Sequence, residues 1–128
     1  MDNMFCFPCE QTAGCTGCTG KAGACGKSAE AAKLRDELMG ALIGLARAAD
    51  TAPEADGRTW SLMIEGLLAT RASGNSDGAA IRALTGRVRA EKARLVPDCA
   101  VCSAPCGRTS DYDMAQLWGG QEDIRSLK

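Results

Sequence analysis

Eight cysteines and no histidine stand in this chain of 128 residues. Cys6, Cys9, Cys15, Cys18 and Cys25 crowd the N-terminus. Cys99, Cys102 and Cys106 form a second group, and none lies between. Without imidazole, thiolates are the strong soft ligands on offer, and four of them suit Zn²⁺ or an iron–sulfur cluster. Two N-terminal quartets satisfy that count. Cys6, Cys9, Cys15 and Cys18 read C-x₂-C-x₅-C-x₂-C, and Cys6, Cys9, Cys18 and Cys25 read C-x₂-C-x₈-C-x₆-C. Zinc sites usually set their two cysteine pairs farther apart, each on its own turn. Compact spacing in a glycine-rich loop points instead to a cluster enclosed by one loop, [4Fe–4S] first, with zinc as the alternative.

The residues around these cysteines suit an anionic centre. Gly14, Gly17, Gly20, Gly23 and Gly26 recur at every third position. Glycine lets backbone wrap closely and aim N–H groups at sulfur. Lys21 and Lys27 bring positive charge, and a helix beginning just after Cys25 would add the partial charge of its N-terminus. Met4, Phe5 and Phe7 are candidates to shield the centre from water and tune its potential.

The second group, Cys99, Cys102 and Cys106, is a ligand set lacking a fourth member. Asp98, Asp111, water or another chain would have to complete a metal site there. The simpler expectation is reduced, oxidisable thiols in a tight loop. In an up-down-up bundle the two cysteine groups fall at opposite ends, unless the chain after Pro97 doubles back.

Positioning falls to helices. Ser28 is placed to cap a helix reaching about Asp50, with Leu34, Leu38, Leu42, Leu45 and Ala49 as its apolar stripe. Pro53 and Gly57 mark a turn. A second helix is predicted over about 56–72, with Trp60, Ile64, Leu67 and Leu68 facing inward. Residues 73–76 form the next connection, and a third helix is predicted over about 77–96, burying Ile81, Leu84, Val88 and Leu95 before Pro97 stops it. Ser110 or Asp111 is expected to cap a short helix through Tyr112, Met114, Leu117 and Trp118. Gly119 and Gly120 interrupt it, and Asp123 to Lys128 reads as the start of another helix. The predicted fold is all-α, an antiparallel three-helix bundle with an N-terminal Cys/Gly-rich cluster-binding loop and a short C-terminal helical segment. Its expected parts are residues 1–27, 28–97 and 98–128, within one structural domain.

Composition narrows the function classes. Fifteen basic against sixteen acidic residues give a formal net charge of −1, which does not favour nucleic acid or an acidic membrane surface as partner. There is no signal-peptide pattern and no membrane-spanning run, so the expectation is a cytoplasmic protein. A secreted disulfide scaffold would spread its cysteines along the chain, unlike the clustering here.

Residues 4–13 (MFCFPCEQTA), 17–19 (GCT) and 25–27 (CGK) resemble the N-terminus of hybrid-cluster proteins, also called prismane proteins or hydroxylamine reductases. The resemblance continues in residues 34–47 (LRDELMGALIGLAR), 63–67 (MIEGL), 90–97 (AEKARLVP) and 122–128 (EDIRSLK). It implies a cubane [4Fe–4S] cluster, or [2Fe–2S] in some members, on Cys6, Cys9, Cys18 and Cys25. Two departures stand out: the last gap is one residue longer than the family's commonest, and Cys15 is additional and unassigned. The family's catalytic hybrid cluster uses ligands farther downstream, histidine among them, so the resemblance covers the first helical part of a longer enzyme. It implies an electron-transfer module, not itself catalytic, relaying electrons between a redox partner protein and a downstream hybrid-cluster domain. The competing expectations are a redox or nitric-oxide sensor using Cys15 and the Cys99 group, and a structural zinc module on Cys6, Cys9, Cys15 and Cys18.

Overall fold

Ser28 sets the start of α1 (Ala29–Thr51): its backbone is extended and its hydroxyl accepts the Ala31 N–H at 3.1 Å. The computed structural model describes residues 4–6, 17–71, 77–96, 110–121 and 123. Expectations for Phe7, Cys9, Cys15, the 73–76 connection, Pro97, Cys99, Cys102, Cys106 and the tail beyond Asp123 lie outside those residues. Glu30 in the first turn of α1 complements the helix dipole. At the other end Pro53 forces Ala52 into extended backbone, and the helix stops at Thr51.

The second helix, α2 (Gly57–Arg71), is started by Asp56, whose carboxylate accepts the Arg58 and Thr59 N–H groups at 3.0 and 3.3 Å. The third, α3 (Gly78–Leu95), is capped by Asp77 through the Ala79 N–H at 3.0 Å and carries Lys92 and Arg94 in its last turn. Side-chain pairing fixes the directions. Glu30 at the start of α1 meets Arg82 near the start of α3, so these two run parallel. Thr59 and Glu65 on α2 meet Glu91 and Arg87 on α3 in reverse order, so α2 runs against them. The result is the expected up-down-up bundle. Among the described residues there is no strand, only two isolated bridges. No described helix is long and apolar enough to cross a membrane.

The core is built on α1. Leu34, Leu38, Leu42, Leu45 and Ala49 pack with Ile81, Leu84, Val88 and Leu95 of α3, as their spacing predicts. Leu38, Leu45 and Val88 are completely covered.

The inward face of α2 corrects the sequence reading. Trp60, Ile64, Leu67 and Leu68 are 48%, 60%, 48% and 67% exposed, while Thr59, Leu62, Gly66 and Thr70 are buried. Close approach and polar pairing decide this. Gly66 presses on the Leu42 side chain so closely that a Cβ would sit 2.6 Å from one of its methyls. The Thr59 hydroxyl donates to the buried Glu91 carboxylate at 2.6 Å, which Arg94 also holds. Thr70 satisfies its own hydroxyl on the Leu67 carbonyl at 2.7 Å. Small residues thus let α2 sit close to α1, and the larger apolar side chains turn outward.

The last described segment folds back along α1. Residues 110–113 form a strap across Gly40 and Gly44 and lead into α4 (Met114–Trp118). Tyr112 donates its N–H to the Gly40 carbonyl at 3.0 Å, and Arg47 lies over the Tyr112 ring at 5.7 Å. A side chain at Gly40 would collide with the Tyr112 carbonyl. The cap of α4 is Asp113, which accepts the Ala115 N–H at 3.0 Å. Neither Ser110 nor Asp111 serves as the cap, because Asp111 is held by Arg89 at 2.8 Å and Lys92 at 2.5 Å.

Candidate metal centre

Cys6 and Cys18 face each other across a two-residue antiparallel bridge. The Cys6 N–H donates to the Cys18 carbonyl at 3.0 Å, and the Cys18 N–H returns to the Cys6 carbonyl at 2.8 Å. Gly17, next in line, has φ +89°, and a Cβ placed on it would sit 3.1 Å from the Phe5 ring. A side chain there would be strained and would press on that ring. Cys25 sits in a tight turn closed by the Gly26 N–H on the Gly23 carbonyl at 2.9 Å and the Gly23 N–H on the Lys27 carbonyl at 2.8 Å. That turn brings Lys27 back so that its ammonium lies 3.6 Å from the Cys6 sulfur. The Ala24 N–H points at the Cys18 sulfur at 3.4 Å. Cys6, Cys18 and Cys25 are all free, half-buried thiols. Lys21, by contrast, is exposed.

Burial pushes the Cys6 thiol up from its ordinary range, and Lys27 opposes that rise. Two sulfurs each supplied with an N–H donor, in a loop that excludes part of the solvent, suit thiolate ligands. The donor set therefore fits an iron–sulfur cluster, as far as the described residues reach. They do not complete it: among them no group of three or more Cys, Asp or Glu side chains is close enough to hold a metal ion. Cys9 and Cys15 lie outside the described residues. So do Cys99, Cys102 and Cys106, while Asp111, considered as their fourth partner, is committed to two cations. Burial raises its carboxyl, but Lys92 and Arg89 more than offset that and hold it below the usual range.

Apolar side chains from both ends of the described chain meet next to Cys6. Met4 is buried, and its N–H reaches the Gly20 carbonyl at 3.3 Å. The Phe5 ring tilts against Trp118 with centroids 5.5 Å apart. Trp118 in turn donates its indole N–H to Asp36 on α1 at 3.0 Å. Burial pushes the Asp36 carboxyl up to about 6, against the Trp118 hydrogen bond and the charge of Lys27. Sequence reasoning singled out Met4 and Phe5 as candidates to shield the centre and missed Asp36 and the docking of Trp118. The available signal was the Gly40/Gly44 pair, one turn apart on α1, which leaves a backbone-wide groove for the strap.

A bundle of three helices carrying a thiol-rich loop at one end is the class these features define. The chain matches the Prismane/CO dehydrogenase family over residues 4–127 and belongs to that family. Its members bind iron–sulfur clusters. Comparison with curated proteins and with solved structures gave no match.

Proposed function

We propose that this chain is a [4Fe–4S] electron-transfer module, with Cys6, Cys9, Cys18 and Cys25 as ligands. The observation that carries the reading is the Cys6–Cys18 bridge, with Lys27 and the Ala24 N–H directed at its two sulfurs. When bound, the cluster supplies reversible one-electron chemistry. The chain's own residues hold it and set its surroundings. Lys27 and the loop N–H groups favour the more negative charge state. Met4, Phe5 and Trp118 keep water from one side. Electrons would pass on to a redox partner protein or a downstream hybrid-cluster domain.

Anaerobic purification or reconstitution, followed by dithionite reduction and EPR, tests this. The expected result is a reversible one-electron couple with the spectrum of a reduced cubane. Bound zinc without acid-labile sulfide, or a cluster that cannot be reduced reversibly, would contradict it.

A further inference from the structure

The outward stripe of α2 is self-complementary, and we propose that it pairs with the same stripe of a second copy, the two helices antiparallel across a twofold axis. Trp60, Ile64, Leu67, Leu68 and Arg71 follow the three- and four-residue steps that place side chains on one helix face, and Asp56 caps that helix four residues before Trp60. Among the described residues, the four apolar members are the large hydrophobic residues left exposed, and they adjoin one another on a single helix. The order of residues along the stripe makes the second copy its partner. Trp60 and Leu67 are equidistant from the point between Met63 and Ile64, and so are Asp56 and Arg71. One antiparallel register therefore sets Trp60 against the second copy's Leu67 at both ends of an apolar centre. The same register sets Asp56 against Arg71, an acid against a base, on both outer flanks. Ile64 falls beside the axis. A parallel pairing would instead set Asp56 against Asp56 and Arg71 against Arg71, like charges at each end.

The charged flanks are available for this. One carboxylate oxygen of Asp56 accepts the Arg58 and Thr59 N–H groups, but the side chain is 61% exposed and its pairing with Arg94 is loose at 3.8 Å, which leaves the second oxygen facing outward for a cation. Arg71 is exposed at the last turn. Gly57 and Ser61 beside Trp60 are small, which lets the second helix come close. An aliphatic centre bounded by Trp side chains and flanked by charge fits the anatomy of a small association surface. One helix face is below the roughly 800 Å² per partner of a standard stable interface. A dimer of about micromolar affinity, populated at high protein concentration, is therefore expected.

Sedimentation velocity of the full chain across a wide concentration range tests the pairing. The expected result is a monomer–dimer equilibrium. Ile64→Glu should leave a monomer throughout, with an unchanged helical circular dichroism spectrum, since Ile64 contributes nothing to the core. Arg71→Glu should weaken the dimer by about tenfold or more by opposing Asp56 of the second copy. A chain that stays monomeric at every concentration would overturn the proposal, as it would if another protein segment or a lipid surface covers this face. A dimer that persists in folded Ile64→Glu would also overturn it.

Discussion

At Asp36, burial and the Trp118 indole act in opposite directions, and burial dominates: the carboxyl is pushed from its ordinary 3.8 up to about 6. A raised carboxyl favours the neutral form in the folded state. Its contribution is thus fully present below about pH 4 and lost as pH rises through 6. Asp36→Asn keeps an oxygen for the indole N–H and removes that loss. After discounting for the solvent that still reaches this group, the variant should be about 1–2 kcal/mol more stable than wild type at pH 7. Chemical denaturation at pH 4 and pH 7 checks this, with the difference vanishing at the lower pH.

Glu91 shows the opposite behaviour. Hydrogen bonds from Arg94 and Thr59 hold its carboxyl down at about 2 despite its burial. Its contribution is present above pH 4.5 and lost as pH falls toward 2. Glu91→Gln should cost about 2 kcal/mol in denaturant unfolding at neutral pH, because Arg94 loses a charged acceptor. Lys27 bears on the proposed cluster, because its ammonium lies 3.6 Å from the Cys6 sulfur. Lys27→Ala removes a cation beside Cys6 and should lower the reduction potential of the loaded protein, on the order of tens of millivolts in a redox titration.

Among the elements, the strap depends on α1 having no side chains where it crosses. Gly40→Ala pushes a methyl into the Tyr112 carbonyl, and overpacking of this kind costs about 1–3 kcal/mol. The strap, rather than the bundle, should yield. Trp118 would then leave Phe5 and Asp36, so its fluorescence should shift to the red while helical circular dichroism stays near wild type. Leu38→Ala acts on the bundle instead. Leu38 is completely buried on the helix that all others pack against, and its truncation should cost about 2–5 kcal/mol in global unfolding.

These elements also show what was legible before the structure. The Asp77 cap of α3 was not singled out, whereas the cap at Ser28 and the stripes of α1 and α3 could be read directly, because there the apolar side chains and the buried face coincide. On α2 they do not. Hydrophobicity pointed to Trp60 and Ile64, while Gly66 and Thr59 fix the contact through size and a hydrogen bond that no periodicity reveals. Asp113 was missed as a cap because two carboxylates and a serine compete in so short a stretch, and long-range pairing of Asp111 with Arg89 and Lys92 settles the choice.

For the molecule as a whole, α1 links the parts. Its N-terminal end follows the cysteine loop, its sides take α2 and α3, and its glycine groove brings α4 back to the loop, with Trp118 against Phe5. The cysteine types and spacing announced a thiolate site, whereas the choice of quartet rested on likeness to a family. The structure joins Cys6 to Cys18, a pair common to both quartets. The deciding positions are therefore Cys15 and Cys25. Iron and acid-labile sulfide, measured on anaerobically reconstituted Cys15→Ser and Cys25→Ser, separate the quartets most directly. The prediction is about four iron and four sulfide per chain in Cys15→Ser, as in wild type, and loss of the intact cluster in Cys25→Ser. The reverse pattern, or zinc without sulfide in both, would contradict it.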